Sequence, residues 1–213
     1  MRGFPHLPVK RKIYIVLENN LIMDLDNPEI LEKITKKRAY RSNSLSIEEQ
    51  EKFLASLEEI EDIALFQLEL TTGIRREDIA KIDIKSIDLE NRKLVFWEQK
   101  KKRVWEVPLS MKTVQVLKIY LNTKPKNAKK LFDFTGRTAY NKLQKGLKKA
   151  GINKILSFHD LRRSFIKNAK KQGLSVKAVS QIVGDTVATV QEHYENYDLE
   201  ELKSEIEKLE KKQ

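Results

Sequence analysis

One β-rich segment, residues 86–107, interrupts a chain whose other segments carry helical patterns. The turn signal Asn91-Arg92 separates its first two strands, and the polar run 99–103 separates the second from the third. This pattern predicts a small antiparallel sheet whose second hairpin has a lysine-rich tip. With helical segments on both sides, the fold class is predicted to be mostly α with a small antiparallel β-sheet, an α+β fold.

The helical segments carry recognisable start and stop signals. Ser46 and Glu49 are spaced as a capping box, so a helix should begin there and end near Leu57. The next helix, residues 63–71, is apolar nearly all round and should be buried, with Gly73 as its C-cap. Further helices are predicted over residues 76–81, 112–121, 138–150, 160–172, 175–183, 187–194 and 199–211.

The chain divides into three predicted parts. Residues 1–45 form an N-terminal arm and basic linker, with an apolar stretch at 13–17 and a helical piece at 28–34, and are too short to build their own core. Residues 46–198 form the main domain. Residues 199–213 form a C-terminal helix with one narrow apolar stripe, which either folds back on its own domain or packs against another protomer.

Composition narrows the class of partner. The chain has 42 Lys and Arg against 31 Asp and Glu, a net charge of +11. This excess indicates an anionic partner, with nucleic acid as the first candidate. The alternative is that the charge serves solubility alone. The Lys-, Glu- and Ile-rich usage is thermophile-like. The chain has no Cys and 3 His, so no metal or cofactor is expected. Since no apolar run reaches the roughly 20 residues of a membrane span, a soluble cytoplasmic protein is expected.

Four basic or aromatic segments carry candidate chemistry. Arg75 follows a glycine turn, Lys100 lies at the predicted hairpin tip, and Tyr194 lies near a helix end. His159 and Arg162 are three residues apart and therefore share one face of a helix. Each segment taken alone also fits an ordinary structural role: a surface arginine, a solvated turn lysine, a basic amphipathic helix and a core or rim tyrosine.

In this order and at these spacings, the segments resemble the tyrosine recombinase, or phage integrase, family, from about residue 45 to residue 197. The run Thr-Gly-Ile-Arg at 72–75, followed by Asp78, is similar to the first arginine box of that family. Lys100 lies eight residues before Pro108, the spacing typical of the hairpin lysine. The resemblance implies the catalytic-domain fold of that family for residues 46–198.

The second half of the chain carries the rest of the resemblance, and also two departures. The run His-Asp-Leu-Arg at 159–162 matches the second box directly. Tyr194 follows Asp185 by nine residues, the spacing of the nucleophilic tyrosine, but the family usually has His or Trp where Asp185 stands. Arg163 replaces a common His. Asp185 is expected to point away from the reacting phosphate or to pair with a nearby cation.

The resemblance implies a site-specific DNA recombinase, or integrase, of prokaryotic, viral or plasmid origin. Such an enzyme breaks and rejoins double-stranded DNA by transesterification through a 3′-phosphotyrosyl intermediate, here at Tyr194, without a metal or cofactor. Arg75 and Arg162 would bind the non-bridging oxygens, His159 would donate to the phosphate or move the tyrosine proton, and Lys100 would be the general acid. Homo-oligomers assembled on DNA are implied as well.

The other clustered cations are predicted to contact the DNA backbone. They are Lys101, Lys102, Arg103, Lys142, Lys145, Lys149 and Arg163.

Two alternatives remain open at this point. Asp185 favours a catalytically inactive DNA-binding relative, as does the N-terminal clamping domain of the family, which is expected to be absent or reduced to residues 1–45. The intact set of catalytic candidates argues against that alternative: Arg75, Lys100, His159, Arg162 and Tyr194. A type IB topoisomerase-like relaxing enzyme uses the same constellation of residues without a partner or a defined site.

Overall fold

The structure is a computed structural model, which describes residues 14–16, 22–24 and 44–195, with side chains described over 44–193. The chain divides into two units, Met1–Ser42 and Asn43–Gln213. In the first unit, β1 (Tyr14–Val16) pairs antiparallel with β2 (Ile22–Asp24). This hairpin was not predicted from the sequence. The predicted helical pieces at 28–34 and 199–211 lie outside the described residues.

The second unit opens with two helices whose ends follow the sequence signals. Helix α1 (Ile47–Ala55) begins at the predicted capping box: the Ser46 hydroxyl accepts from the Glu49 amide at 3.1 Å, and the Glu49 carboxylate accepts from the Ser46 amide at 2.8 Å. Helix α2 (Ile60–Thr72) is buried on most of its surface, as its composition predicts. The predicted C-cap is confirmed, because Gly73 follows α2 in the left-handed conformation.

A three-stranded antiparallel sheet follows the short helix α3 (Arg76–Ile79) and a 3₁₀ turn, as predicted. Its strands are β3 (Ile87–Asp88), β4 (Lys93–Glu98) and β5 (Arg103–Pro108), in the order β3-β4-β5. The two connections contain Arg92 at φ 53° and Lys102 at φ 50°, so both turns use a left-handed residue. The second turn places residues 99–102 at the hairpin tip.

Five more helices complete the described part of this unit, and each lies within one helical turn of its predicted ends. They are α4 (Met111–Thr123), α5 (Gly136–Lys149), α6 (Phe158–Lys171), α7 (Val176–Val183) and α8 (Val187–Glu195). No described helix is long and apolar enough to cross a membrane.

Two packed clusters of apolar side chains hold these helices. In the larger one, the Phe66 ring on α2 contacts Phe53 of α1 and Phe158 of α6, at centroid distances of 5.0 and 5.7 Å. The smaller one joins α6, α7 and α8 and includes Val179 and Val190, both fully buried. Burying a Val side chain contributes about 2 kcal/mol, so Val190 fixes α8 against α6 and α7. Helix α8 carries Tyr194.

Candidate active site

Arg75 is positioned by the sharp end of α2. Gly73 has φ 61°, and a Cβ at this position would meet the Phe165 ring at 2.9 Å. Both the conformation and the close approach require glycine. The chain therefore turns at once and starts α3 with Arg75 as its N-cap residue. The Arg75 side chain is 17% exposed, so its guanidinium lies at the floor of an opening rather than on the open surface.

Arg162 is almost fully buried in the first half of α6. This helix begins at a capping box between Ser157 and Asp160. The Arg162 guanidinium donates through Nη1 to the carbonyl of Gly73 and through Nη2 to the carbonyl of Val183 at 2.8 Å. Burial lowers the pKa of Arg162, but a guanidinium stays charged in proteins. Arg162 is therefore a fixed cation at the junction of α2, α6 and α7.

Asp185 pairs with both arginines. It follows Gly184, which ends α7 in the left-handed conformation at φ 70°. Its Oδ1 accepts from Arg75 Nη2 at 2.5 Å and its Oδ2 accepts from Arg162 Nη2 at 2.6 Å. Burial opposes the charged form of this carboxyl, but Arg162 and Arg75 outweigh it and hold the pKa of Asp185 below its ordinary value. Of the two expectations for Asp185, pairing with a cation is the one observed.

A cavity of about 160 Å³ opens over these groups. Its lining includes Arg75, Lys100, His159, Arg162, Arg163, Asp185 and His193. Burial lowers the pKa of His159 and of His193, and the neighbouring charge of Arg163 acts in the same direction. Near neutral pH both imidazoles are therefore neutral, each with one nitrogen able to accept a proton. The cavity joins residues that lie far apart in the sequence.

The β4–β5 hairpin brings Lys100 to this cavity. Lys100 is exposed at the hairpin tip and lines the cavity rim. The next residue, Lys101, donates from Nζ to the carbonyl of Gly184 at 2.6 Å. On the other side of Lys100, the Gln99 amide donates to Asp78 Oδ1 at 2.9 Å. The tip is thus held on both sides of the lysine.

Tyr194 lies in the last turn of α8, and its side chain lies outside the described residues. Its neighbour His193 lines the cavity. The backbone therefore carries Tyr194 to the helix end beside the cavity.

The predicted DNA-contacting cations differ in their surroundings. Lys142 is bound by Glu61 at 2.9 Å and by Asp62 at 2.5 Å. Lys149 pairs with Glu58 at 2.7 Å. Arg163 is buried against the cavity, Lys101 donates to the Gly184 carbonyl, and Arg103 donates to Glu98. Lys102 and Lys145 are exposed.

The sequence reasoning missed Glu98, which is 1% exposed at the end of β4. Its Oε1 accepts from Arg75 Nη1 at 2.6 Å and its Oε2 accepts from Arg103 Nε at 2.7 Å. A signal was present, since Leu94, Phe96 and Glu98 occupy alternate positions and β4 buries that face. A carboxylate at the third position of a buried face implies a cation beside it.

These side chains form an alternating chain of charges, in the order Arg103, Glu98, Arg75, Asp185, Arg162. Two arginines that line the cavity, Arg75 and Arg162, present hydrogen-bond donors to one shared anion, which here is the Asp185 carboxylate. The same donor pair fits two oxygens of a phosphate. No group of His, Asp or Glu suited to a metal ion occurs among the described residues.

Comparison with known proteins finds recombinases among the similar sequences and solved structures. The chain is 27% identical to the tyrosine recombinase XerA of Saccharolobus solfataricus, over 90% of this chain, and 22% identical to XerA of Pyrococcus horikoshii, over 86%. It spans 65% of the length of each of these relatives. A crystal structure of XerA recombinase superposes with a TM-score of 0.70 at 23% identity, covering 78% of this chain and 62% of that one.

A second solved structure is XerH site-specific recombinase bound to its difH substrate in a pre-cleavage complex. It superposes with a TM-score of 0.63 at 25% identity, over 76% of this chain and 52% of that one. The model of the phage integrase family matches residues 43–200, which include every residue that lines the cavity. The chain belongs to the phage integrase family.

Proposed function

We propose that this chain is the catalytic domain of a site-specific tyrosine recombinase that breaks and rejoins double-stranded DNA through Tyr194. The observation that carries the proposal is the cavity on which Arg75, Lys100, His159 and Arg162 converge from three separate segments. Four cationic side chains (Arg75, Lys100, Arg162 and Arg163) around so small a cavity favour one backbone phosphate as the ligand. The family membership and the fold shared with recombinases support the same ligand.

In the proposed reaction, the Tyr194 hydroxyl oxygen attacks the phosphorus of the scissile phosphodiester. A bond forms between the tyrosine oxygen and phosphorus, and the bond from phosphorus to the 5′-oxygen breaks. The products are a 3′-phosphotyrosyl link and a 5′-hydroxyl end. Arg75 and Arg162 stabilise the negative charge that grows on the non-bridging oxygens, because their guanidinium groups are fixed in place before the reaction.

Two proton transfers accompany this step. A phenol titrates near pH 10, so Tyr194 needs a base, and His159 is suited to the role because burial keeps its imidazole neutral. Lys100 donates a proton to the leaving 5′-oxygen from the hairpin tip. The reverse sequence rejoins a strand, and since the phosphotyrosyl link conserves the energy of the phosphodiester, rejoining needs no nucleotide cofactor.

Asp185 sets a condition on this mechanism. Its carboxylate occupies the donors of Arg75 and Arg162 that a phosphate would use. Two anions on one pair of donors repel each other, so the scissile phosphate must displace Asp185 from at least one arginine. The same observation favours the second candidate function, a DNA-binding relative that has lost catalysis, because a permanently seated Asp185 would exclude the phosphate.

The wider surface and the assembly complete the proposal. The net charge of +11 provides salt-dependent affinity for the DNA backbone, with exposed Lys102 and Lys145 as contacts. Homo-oligomers form on the DNA, and residues 199–213 form a helix that is exchanged between protomers. Residues 1–45 act as an arm and linker to the catalytic domain, residues 46–198.

Covalent capture tests the chemistry and finds the target site in the same experiment. Duplexes with a randomised core and a nick in one strand are incubated with the protein, and adducts that resist detergent are isolated and sequenced. A nick beside the cleavage point lets the 5′-hydroxyl fragment diffuse away, so the adduct accumulates. We expect adducts with the wild-type chain and none with Tyr194→Phe, whose DNA affinity should stay within a few-fold.

Tyr197→Phe is the matched control, because Tyr197 is the nearest other tyrosine in the sequence. Adducts with Tyr194→Phe but not with Tyr197→Phe would move the nucleophile to Tyr197. DNA binding without adducts would favour the inactive relative. Relaxation of a supercoiled plasmid, with adducts that share no target sequence and without recombination between two sites, would favour the topoisomerase-like activity.

A further inference from the structure

The hairpin that carries Lys100 and the loop that carries Arg75 share one buried carboxylate, Glu98. Glu98 is the register partner of Arg103 across β4 and β5, and the two side chains pair at 2.7 Å directly below the tip. The other carboxylate oxygen, Glu98 Oε1, accepts a hydrogen bond from Arg75 Nη1 at 2.6 Å. A single side chain thus contacts two of the three segments that deliver cations to the cavity.

The orientation of Arg75 follows from this pairing. Glu98 binds Nη1 of Arg75, while Nη2 of the same guanidinium is the donor that Asp185 occupies in the cavity. A planar guanidinium held by one terminal nitrogen has its other terminal nitrogen directed away at a fixed angle. Glu98 therefore decides which donor of Arg75 reaches the phosphate. Without Glu98, the Arg75 side chain, which has several rotatable bonds, would populate other orientations of its guanidinium as well.

The position of the hairpin depends on the same carboxylate. Arg103 lies with its guanidinium 3.7 Å from the centre of the Trp105 ring and donates through Nη2 to the Gly184 carbonyl at 3.3 Å. Its Nε is held by Glu98. Because Lys100 is two residues after Glu98 and three before Arg103, this pair closes the base of the loop in which Lys100 lies.

Because Glu98 is buried, its carboxylate depends on its pairs with Arg75 and Arg103. At 1% exposure the Glu98 carboxylate has lost its water, so both oxygens depend on their protein partners. Glu106 in the same hairpin is a contrast: it is 59% exposed and lies 3.5 Å from Lys93. We propose that Glu98 is a positioning residue for DNA cleavage, which orients Arg75 toward the scissile phosphate and fixes the hairpin that presents Lys100. This inference rests on the proposed function.

The test measures the single-turnover rate of adduct formation on a nicked duplex that carries the target site found by covalent capture. It compares Glu98→Gln, the matched control Glu106→Gln and the wild-type chain. Glu98→Gln keeps the size of the side chain and removes its charge. We expect its rate at saturating DNA to fall by about 10- to 100-fold, the cost of misplaced catalytic groups, with half-saturating DNA changed by less than about threefold. Glu106→Gln should match the wild-type rate.

A second substrate separates the two positioning roles. When sulfur replaces the bridging 5′-oxygen, the leaving group is a thiolate, whose acid has a pKa of about 8.5, so it departs without a proton from Lys100. This substrate should rescue Lys100→Ala and leave Arg75→Ala slow. For Glu98→Gln we expect rescue of part of the loss, the remainder being due to Arg75. Complete rescue, or none, overturns the joint role.

Outcomes for folding and for the proposed function stay distinct. If Glu98→Gln fails to fold, Arg103→Gln tests the hairpin role, since Arg103 is 37% exposed and its loss leaves the Glu98–Arg75 pair in place. Its defect should be rescued fully by the thiolate substrate, and an unrescued or absent defect overturns the inference. Adducts at the wild-type rate with Glu98→Gln overturn the inference alone. No adduct with the wild-type chain overturns the proposed function and the inference together.

Discussion

The carboxylate of Asp185 lies 2.6 Å from the guanidinium of Arg162, a cation that is itself bound by two backbone carbonyls in the interior. The other oxygen of Asp185 binds Arg75, so one carboxylate holds two arginines together. Without the Asp185 carboxylate between them, the guanidinium groups of Arg75 and Arg162 would repel each other. Asp185 therefore stabilises the DNA-free fold at the position where the proposed substrate binds.

The first prediction is that Asp185→Asn destabilises the free protein and increases its response to an oxyanion. Asp185 is 17% exposed. Its loss leaves the buried Arg162 without a carboxylate partner and Arg75 with Glu98 alone, which should lower the free energy of unfolding by about 3 kcal/mol. Inorganic sulfate should recover more stability in the variant than in the wild-type chain, because it can bind the vacated donors. Urea unfolding at pH 7, in sulfate and in chloride of equal ionic strength, measures both effects.

Glu90→Gln is the control, since Glu90 is exposed in the turn before β4. It reports the general effect of sulfate on folding. Equal sulfate responses in Asp185→Asn and the control would contradict the prediction. The contribution of Asp185 should be present above its ordinary pKa of 3.8 and be lost as the pH falls through its lower folded value.

The second prediction concerns catalysis at the same position. Asp185→His restores the residue type usual in the family and removes the competing anion, so the rate of adduct formation should rise or stay unchanged. Single-turnover kinetics on the captured duplex measure it. A loss of more than about tenfold, or about 1.4 kcal/mol of transition-state stabilisation, would instead assign Asp185 an active role.

The sequence predicts this site unevenly, for physical reasons. The spacing of His159 and Arg162 places them on one helix face whatever the tertiary fold, and the structure brings both to the cavity. The roles of Glu98 and Asp185 depend on contacts with Arg75 across 23 and 110 residues, which no local pattern encodes. The alternation of Leu94, Phe96 and Glu98 indicates a buried carboxylate, but only the tertiary fold supplies Arg75 as its partner.

The third prediction is that Glu69→Gln stabilises the protein. Glu69 is fully buried in α2, and neither of its carboxylate oxygens has a hydrogen-bond partner within residues 44–193. Burial raises the pKa of Glu69 well above its ordinary value. The unfolded chain therefore releases its proton first, and the folded state loses stability as the pH rises from about 4.5 toward the folded value.

The amide of Gln does not ionise, so folding of the variant does not depend on pH at this position. The stabilisation by Glu69→Gln should therefore grow between pH 5 and pH 7. Thermal unfolding at several pH values measures it, with Gln67→Glu, the reverse change at a neighbouring buried position of α2, expected to destabilise. A stabilisation that does not change with pH would show that the Glu69 carboxyl has its ordinary pKa.

The fourth prediction is a loss of stability in mild acid that originates in His159 and His193. Burial and Arg163 lower the pKa of both imidazoles in the folded state, so the unfolded chain takes up protons first. Stability is then complete above the ordinary value of about 6.5 and falls as the pH drops toward the folded values. Thermal unfolding of His159→Gln and His193→Gln should show a weaker dependence between pH 7.5 and 5.5 than the wild-type chain. An NMR titration in which both imidazoles titrate at or above 6.5 would contradict this.

The fifth prediction is that deleting residues 199–213 weakens cooperative assembly on DNA more than binding to a single site. Leu199, Leu202, Ile206 and Leu209 recur at steps of three, four and three, so a helix over these residues has one apolar stripe that must be buried. The segment is too short for a stable coiled coil alone, which leaves its own domain or a neighbouring protomer as the surface that covers it. If protomers exchange it, deletion leaves the core of each catalytic domain intact. Gel-shift titrations on one-site and two-site duplexes should then show a lost cooperative step, with unchanged thermal unfolding of the monomer. If the deletion unfolds the monomer, the stripe is buried within its own domain. If cooperativity stays intact, the segment is dispensable for assembly.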